Sequence, residues 1–100
     1  MKWRLIVEAA AEAEILAAAE WYVRRNPEAR ERFLAAVDGA LAVIENNPLQ
    51  YQVVRGVVRR ALVKRFPYGL LYSISEDQVV GTVCFHTSRD PRHWQARFPL

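Results

Sequence analysis

A chain of 100 residues, 52% hydrophobic and 25% charged, holds one packed core, so a two-domain enzyme is excluded and a single domain over residues 1–100 is expected. Its apolar stretches are broken by charge well short of the roughly twenty residues that a bilayer span needs, which excludes a transmembrane helix. The net charge of +3 is unevenly divided, with six Lys/Arg against eight Asp/Glu in residues 1–48 and eight against three in residues 49–100; a basic second half points to an acidic partner, either nucleic acid or an acidic protein segment.

Lys2–Val7, rich in Trp, Leu, Ile and Val, reads as a short opening strand. Two cations and three consecutive aliphatics do not make a secretion signal, so a cytoplasmic protein is expected. Ala9–Arg25 repeats apolar residues at helical spacing (Ala11, Ile15, Ala18, Ala19, then Tyr22 or Val23) and predicts an amphipathic helix with a small-residue stripe. Asn26-Pro27-Glu28 supplies a capping side chain, a proline suited to the first helical position and an anion at the positive end of the dipole. A second helix starts there, with Phe33, Val37, Leu41 and Ile44 on its apolar face, and Asn46-Asn47-Pro48 stops it.

Beyond Pro48 the composition turns to β: Tyr51–Val54, Val57–Phe66, Leu70–Ser75 and Gln78–His86, punctuated by Gly56, Pro67-Tyr68-Gly69 and Ser75-Glu76-Asp77. Short turns imply an antiparallel meander. Alternation sets Leu62, Lys64 and Phe66 on one face and Ala61, Val63 and Arg65 on the other, so the Arg59-to-Arg65 stretch is expected to be partly exposed. The lone Cys84 excludes an internal disulfide and a cysteine zinc cage, and reads as a small buried apolar residue. The last segment, Thr87–Leu100, is expected to be a loop or short helical turn. No phosphate-binding glycine loop, dinucleotide fingerprint or metal-ligand spacing is present, and no cofactor or metal is expected.

Two stretches carry more information. Residues 65–72 read Arg-Phe-Pro-Tyr-Gly-Leu-Leu-Tyr, and residues 86–97 read His-Thr-Ser-Arg-Asp-Pro-Arg-His-Trp-Gln-Ala-Arg. With Glu20-Trp21-Tyr22 and with Asn47-Pro48 before Tyr51, they resemble the RelE/ParE toxins of bacterial type II toxin–antitoxin systems. The His-x-x-Arg-Asp-Pro-x-x-Trp-x-x-Arg ending is most similar to the ParE side. The resemblance implies an α+β fold: an N-terminal strand and a two-helix hairpin packed on an antiparallel sheet meander. It also implies a hetero-oligomer with a cognate antitoxin, whose acidic amphipathic segment covers the toxin.

ParE-like toxins act on DNA gyrase without cutting RNA, whereas RelE-like toxins are ribosome-dependent mRNA endoribonucleases, so the resemblance leaves gyrase and the ribosome as alternative targets. Strand cleavage would require a general acid, a general base and cations; His86, His93, Lys64, Arg65 and Arg89 are the residues for that role. RelE-like nucleases commonly place a tyrosine near the C-terminus, whereas the last tyrosine here is Tyr72 and the tail offers Trp94 and Phe98, so the resemblance implies noncatalytic inhibition. Arg59, Arg60, Arg89, Arg92, Trp94 and Arg97 are candidates for target contact. Trp21, Tyr22, Arg59, Lys64 and Arg65 are candidates for antitoxin contact. Plainer readings stand beside these: His86 as a structural histidine bonded to the Arg89-Asp90-Pro91 turn, Asp90 as an acceptor fixing that turn, and Trp94 as a core anchor. A small nucleic-acid-binding module using the basic half is the alternative of a different class.

Overall fold

The capping signal at Asn26 is realised: its Oδ1 accepts the Glu28 N–H at 3.0 Å, and Pro27 opens the helix. The computed structural model describes residues 3–98; Lys2 of the expected strand and the last two residues of the tail lie outside them. The elements are β1 (Arg4–Val7), α1 (Ala9–Val23), α2 (Pro27–Asn46), a 3-10 turn (Pro48–Gln50), β2 (Val53–Arg55), β3 (Val58–Leu62), β4 (Tyr68–Ser75), β5 (Gln78–His86) and α3 (Arg92–Gln95). The chain is α+β, as expected. Ile15, Ala18 and Ala19 of α1 face Phe33, Val37, Ala40 and Ile44 of α2 within one core, closed by Ala61, Leu70, Tyr72, Val79 and Cys84 from the sheet. Small residues on α1 let the hairpin approach the strands closely.

The sheet order is β1-β5-β4-β3-β2. Strands β2 to β5 form the expected antiparallel meander, but β1 runs parallel to β5, so the sheet is mixed rather than antiparallel. The helical hairpin is the crossover that makes a parallel neighbour possible. Two further expectations are corrected. The strand over Val57–Phe66 ends at Leu62, because Arg65 takes a left-handed backbone (φ 71°) and turns the chain; Lys64 and Arg65 lie on that turn, and the alternation does not reach them. Tyr68 and Gly69 belong to β4, not to a turn. Gly69 is needed in the strand because the Phe85 ring lies across it, and a Cβ there would come within 2.7 Å of that ring.

Strand β5 changes face part-way along. Leu71 pairs with Val83 but Tyr72 pairs with Gly81, leaving Thr82 as a bulge. Val79 and Cys84 therefore both reach the helix-side core, while Val83 joins Val58, Leu71 and Trp94 in a second apolar cluster. The tail covers that second face through α3.

Four rings tie the hairpin to the sheet: Tyr22, Phe33, Phe66 and Tyr68, with Phe33 centred 5.2–5.3 Å from each of the other three. Such edge and tilted contacts add about 0.5–1.5 kcal/mol per pair beyond burial. At the other end of the core the Tyr72 hydroxyl donates to the Pro48 carbonyl at 2.6 Å, and burial pushes that hydroxyl up to about 12. Arg59 donates to the carbonyls of Leu49 (3.2 Å) and Tyr51 (2.5 Å). Arg59, a candidate for both target and antitoxin contact, is thus spent holding the Pro48–Tyr51 segment. Tyr72→Phe and Arg59→Ala each orphan carbonyl acceptors and are expected to destabilise the fold by about 1–2 kcal/mol, read from urea unfolding midpoints.

Candidate functional site

β1 pairs with β5 only as far as Gly81, where the chain leaves the sheet for α1. Among the described residues no strand lies beside the outer edge of β5 beyond that point. Two side chains take the strand's place. Glu14, on α1, accepts the Cys84 N–H through Oε1 at 3.1 Å. Arg97, in the tail, donates to the Thr82 carbonyl at 2.6 Å and to Glu14 Oε2 at 2.8 Å. A recess of about 390 Å³ lies beside this bridge, walled by α1 through Trp21 and by the tail through His93 and Trp94. An adjoining recess of about 400 Å³ shares Trp21, Tyr68, His86 and Arg89 with it. Together they form one cleft between α1 and the Thr87–Asp90 loop.

His86, Arg89 and His93 meet in this cleft. The His86 ring packs edge-on against Tyr68, 5.1 Å between centres. Its Nδ1 accepts the Ser88 N–H at 3.1 Å and lies 2.8 Å from the Ser88 hydroxyl. A backbone N–H can only donate, so Nδ1 is an acceptor and the neutral ring keeps its proton on Nε2. The ring's hydrogen-bond partner is Ser88, not the expected Arg89-Asp90-Pro91 turn. Burial pushes the Tyr68 hydroxyl up, and the Arg89 charge pulls against it. Asp90 fixes the turn: it accepts the Arg92 N–H at 3.0 Å and two guanidinium bonds from Arg92, at 2.9 and 2.6 Å. Those bonds hold its carboxyl below the usual aspartate range.

The other candidates divide. Trp94 is 7% exposed among Val58, Leu71 and Val83, and packs on Phe85 and Phe98; it anchors the tail, and the little of it left uncovered lines the recess. Arg97 is committed to the bridge, and Arg92, though exposed, to Asp90. Trp21 is 47% exposed with Arg25 3.7 Å over one face, while Tyr22 turns inward to the core rings. Arg60 lies in solvent on β3. Lys64 and Arg65 do not join His86 and His93; they line a separate groove of about 1040 Å³ between α2 and β3. The residues named for strand cleavage are thus split between two recesses.

Glu14 escaped the sequence reading. Arg55 donates to the Phe98 carbonyl at 2.8 Å, a second clamp on the tail. Glu14 had a signal: it is a carboxylate three residues after Ala11 and four before Ala18, in a stripe otherwise apolar. Glu14→Ala is expected to cost about 1–2 kcal/mol by freeing the Cys84 N–H and Arg97, and Glu14→Gln less, because the amide oxygen still accepts. Burial, then the Glu14 charge, pushes the Cys84 thiol from 9.0 up to about 12. The fold favours the neutral thiol, so this contribution is lost as pH rises from about 9 towards 12. Iodoacetamide at pH 8 is expected to leave Cys84 unmodified until urea unfolds the protein.

The family model described as the ParE toxin of the type II toxin–antitoxin system parDE matches residues 5–91. No curated protein matches the sequence. Among solved structures, one titled as a chromosomal ParDE toxin–antitoxin system from P. aeruginosa aligns with a TM-score of 0.79 at 14% identity, covering 87% of this chain and 98% of that one. The order of strand, helical hairpin and meander, the His86-to-Arg97 motif and the family match over most of the chain agree: the chain belongs to the ParE toxins of type II toxin–antitoxin systems.

Proposed function

We propose that the protein inhibits DNA gyrase by binding, without cutting RNA, and that a cognate antitoxin neutralises it by laying an acidic amphipathic helix into the groove between α2 and β3. The groove carries the antitoxin reading. Ala35, Ala36, Gly39, Ala40 and Val43 make a floor of small side chains on α2, and Leu62 and Phe66 face it from the sheet side. Val43 and Leu62 are 43% and 58% exposed, apolar surface that a partner helix would cover. Arg32, Lys64 and Arg65 rim it with positive charge, complementary to acidic residues flanking an apolar stripe. Small residues allow the close helix approach of about 8–10 Å between axes.

The ParE match favours gyrase over the ribosome as the target. Of the residues named for cleavage, Lys64 and Arg65 lie apart from His86, Arg89 and His93, so the cationic part of that set is divided between two recesses. His86, proton on Nε2 and Nδ1 engaged by Ser88, is arranged as a hydrogen-bond donor rather than a base.

Gly39 gives a clean test, because a Cβ added there meets no atom within 4 Å. Gly39→Leu fills the groove without crowding the core and is expected to weaken antitoxin binding by at least about tenfold while toxicity to cells persists. Unchanged antitoxin affinity would remove the groove from the reading. For the target, purified protein added to gyrase is expected to block supercoiling, and induction in cells to lower DNA synthesis before protein synthesis; an earlier fall in protein synthesis would restore the ribosome.

A further inference from the structure

The cleft between α1 and the Thr87–Asp90 loop has a chemistry that neither antitoxin docking nor gyrase inhibition explains. Its two nearby carboxylates are already consumed, Glu14 by Arg97 and the Cys84 N–H, Asp90 by Arg92. Among the described residues, Arg89, His93 and the Nε2–H of His86 then stand without a carboxylate partner. A positive cleft whose own acids are neutralised is arranged for an anion from outside. Beside it stands Trp21, an indole left 47% exposed at the edge of both recesses. Arg25 lies over one face of that indole, a cation that keeps the ring oriented. Tyr68 adds a second aromatic surface, held in place by the core rings behind it and by His86 beside it.

Cations beside fixed aromatic faces are the pairing that binds a phosphate and a nucleobase at once: the base stacks on the ring, and guanidinium and imidazole donors take the phosphate oxygens. The recess of about 390 Å³ lies within the range of small-molecule sites, about 300–1,000 Å³, and admits one nucleotide. We propose that this cleft binds a phosphorylated nucleotide, its base against Trp21 and its phosphate on Arg89, His93 and the Nε2–H of His86. The nucleotide is free in solution or is an unpaired residue of a nucleic-acid strand; both present the same base and phosphate. No bond is made or broken in this step. The inference stands apart from the groove proposed for the antitoxin, which neither Trp21 nor Arg89 lines.

The test uses adenosine monophosphate, adenosine and a labelled single-stranded pentanucleotide, titrated into the ¹⁵N-labelled protein. Saturable shifts of the Trp21 indole N–H and of the Ser88 and Arg89 amides are expected with the monophosphate, and binding at least about tenfold weaker with adenosine, which lacks the phosphate. Arg89→Ala, an exposed side chain with no role in packing, is expected to weaken the monophosphate by about tenfold. Trp21→Leu is expected to weaken monophosphate and adenosine alike. Arg4→Ala removes one charge at the far end of the sheet and is expected to change nothing, so equal losses in Arg4→Ala and Arg89→Ala would mean diffuse charge attraction and overturn the site. A pentanucleotide that binds much more tightly than the monophosphate identifies a strand as the source, and equal affinity identifies the free nucleotide. Absence of saturable shifts with all three probes overturns the proposal. Unfolding midpoints of the variants, compared with the parent protein, exclude misfolding as the cause of a loss.

Discussion

The outer edge of β5 past Gly81 is the constraint around which this small fold is arranged. A strand edge inside a protein cannot leave its N–H and C=O groups empty, and β1 is too short to serve it. Glu14 and Arg97 complete the edge from two directions, one from the first helix and one from the last turn. The bridge between them therefore joins the two ends of the chain. It sets how far α1 can slide along the sheet, and it brings the tail back so that Trp94 covers Val58, Leu71 and Val83 on the opposite face. The cleft follows from the same arrangement: side chains, unlike a strand, fill only part of the space next to β5.

The aromatic array connects this edge to the rest of the core. Tyr22 and Phe33 contact each other and both touch Phe66 and Tyr68, and these two ends of the group surface in different places. Phe66 reaches the groove beside α2, and Tyr68 reaches the cleft beside α1. The helical hairpin thus separates two recesses of unlike character, one with an apolar floor and a charged rim, the other lined in part by aromatic rings, two histidines and Arg89. Two surfaces on one small domain leave room for a neutralising partner and a second ligand without competition for the same side chains.

Much of this architecture was legible because it rests on local signals. The Asn26-Pro27 cap, the spacing from Ala11 to Tyr22 and from Phe33 to Ile44, and the turn at Glu76-Asp77 depend on residues near one another in sequence. The parallel pairing of β1 was not legible, since strand direction at a sheet edge is decided by where a distant crossover returns. The bulge at Thr82, signalled only by the isolated Gly81 before it, reverses the facing of half of β5. Gly69 was read as a turn glycine because glycine has two uses that look alike in sequence: freedom of φ, and room for a neighbouring ring. The second is decided by Phe85, sixteen positions away, and only the pairing of β4 with β5 brings them together.

The charge of the second half shows why counts of cations locate a binding surface poorly. Residues 49–100 hold eight Lys/Arg, but Arg55, Arg59 and Arg97 donate to backbone carbonyls and Arg92 closes the Asp90 turn. A guanidinium presents several planar donors, so it can satisfy carbonyls that loops and edges would otherwise bury unpaired. Three of the eight are used in this way, and a fourth, Arg92, is held by the Asp90 carboxylate. The cations left for partners are Arg60, Lys64, Arg65 and Arg89, and they do not form one patch: Lys64 and Arg65 rim the α2 groove, and Arg89 lines the α1 cleft. Charge asymmetry along the sequence pointed towards acidic partners; the assignment of each guanidinium to a carbonyl, a carboxylate or solvent decides where such partners would sit.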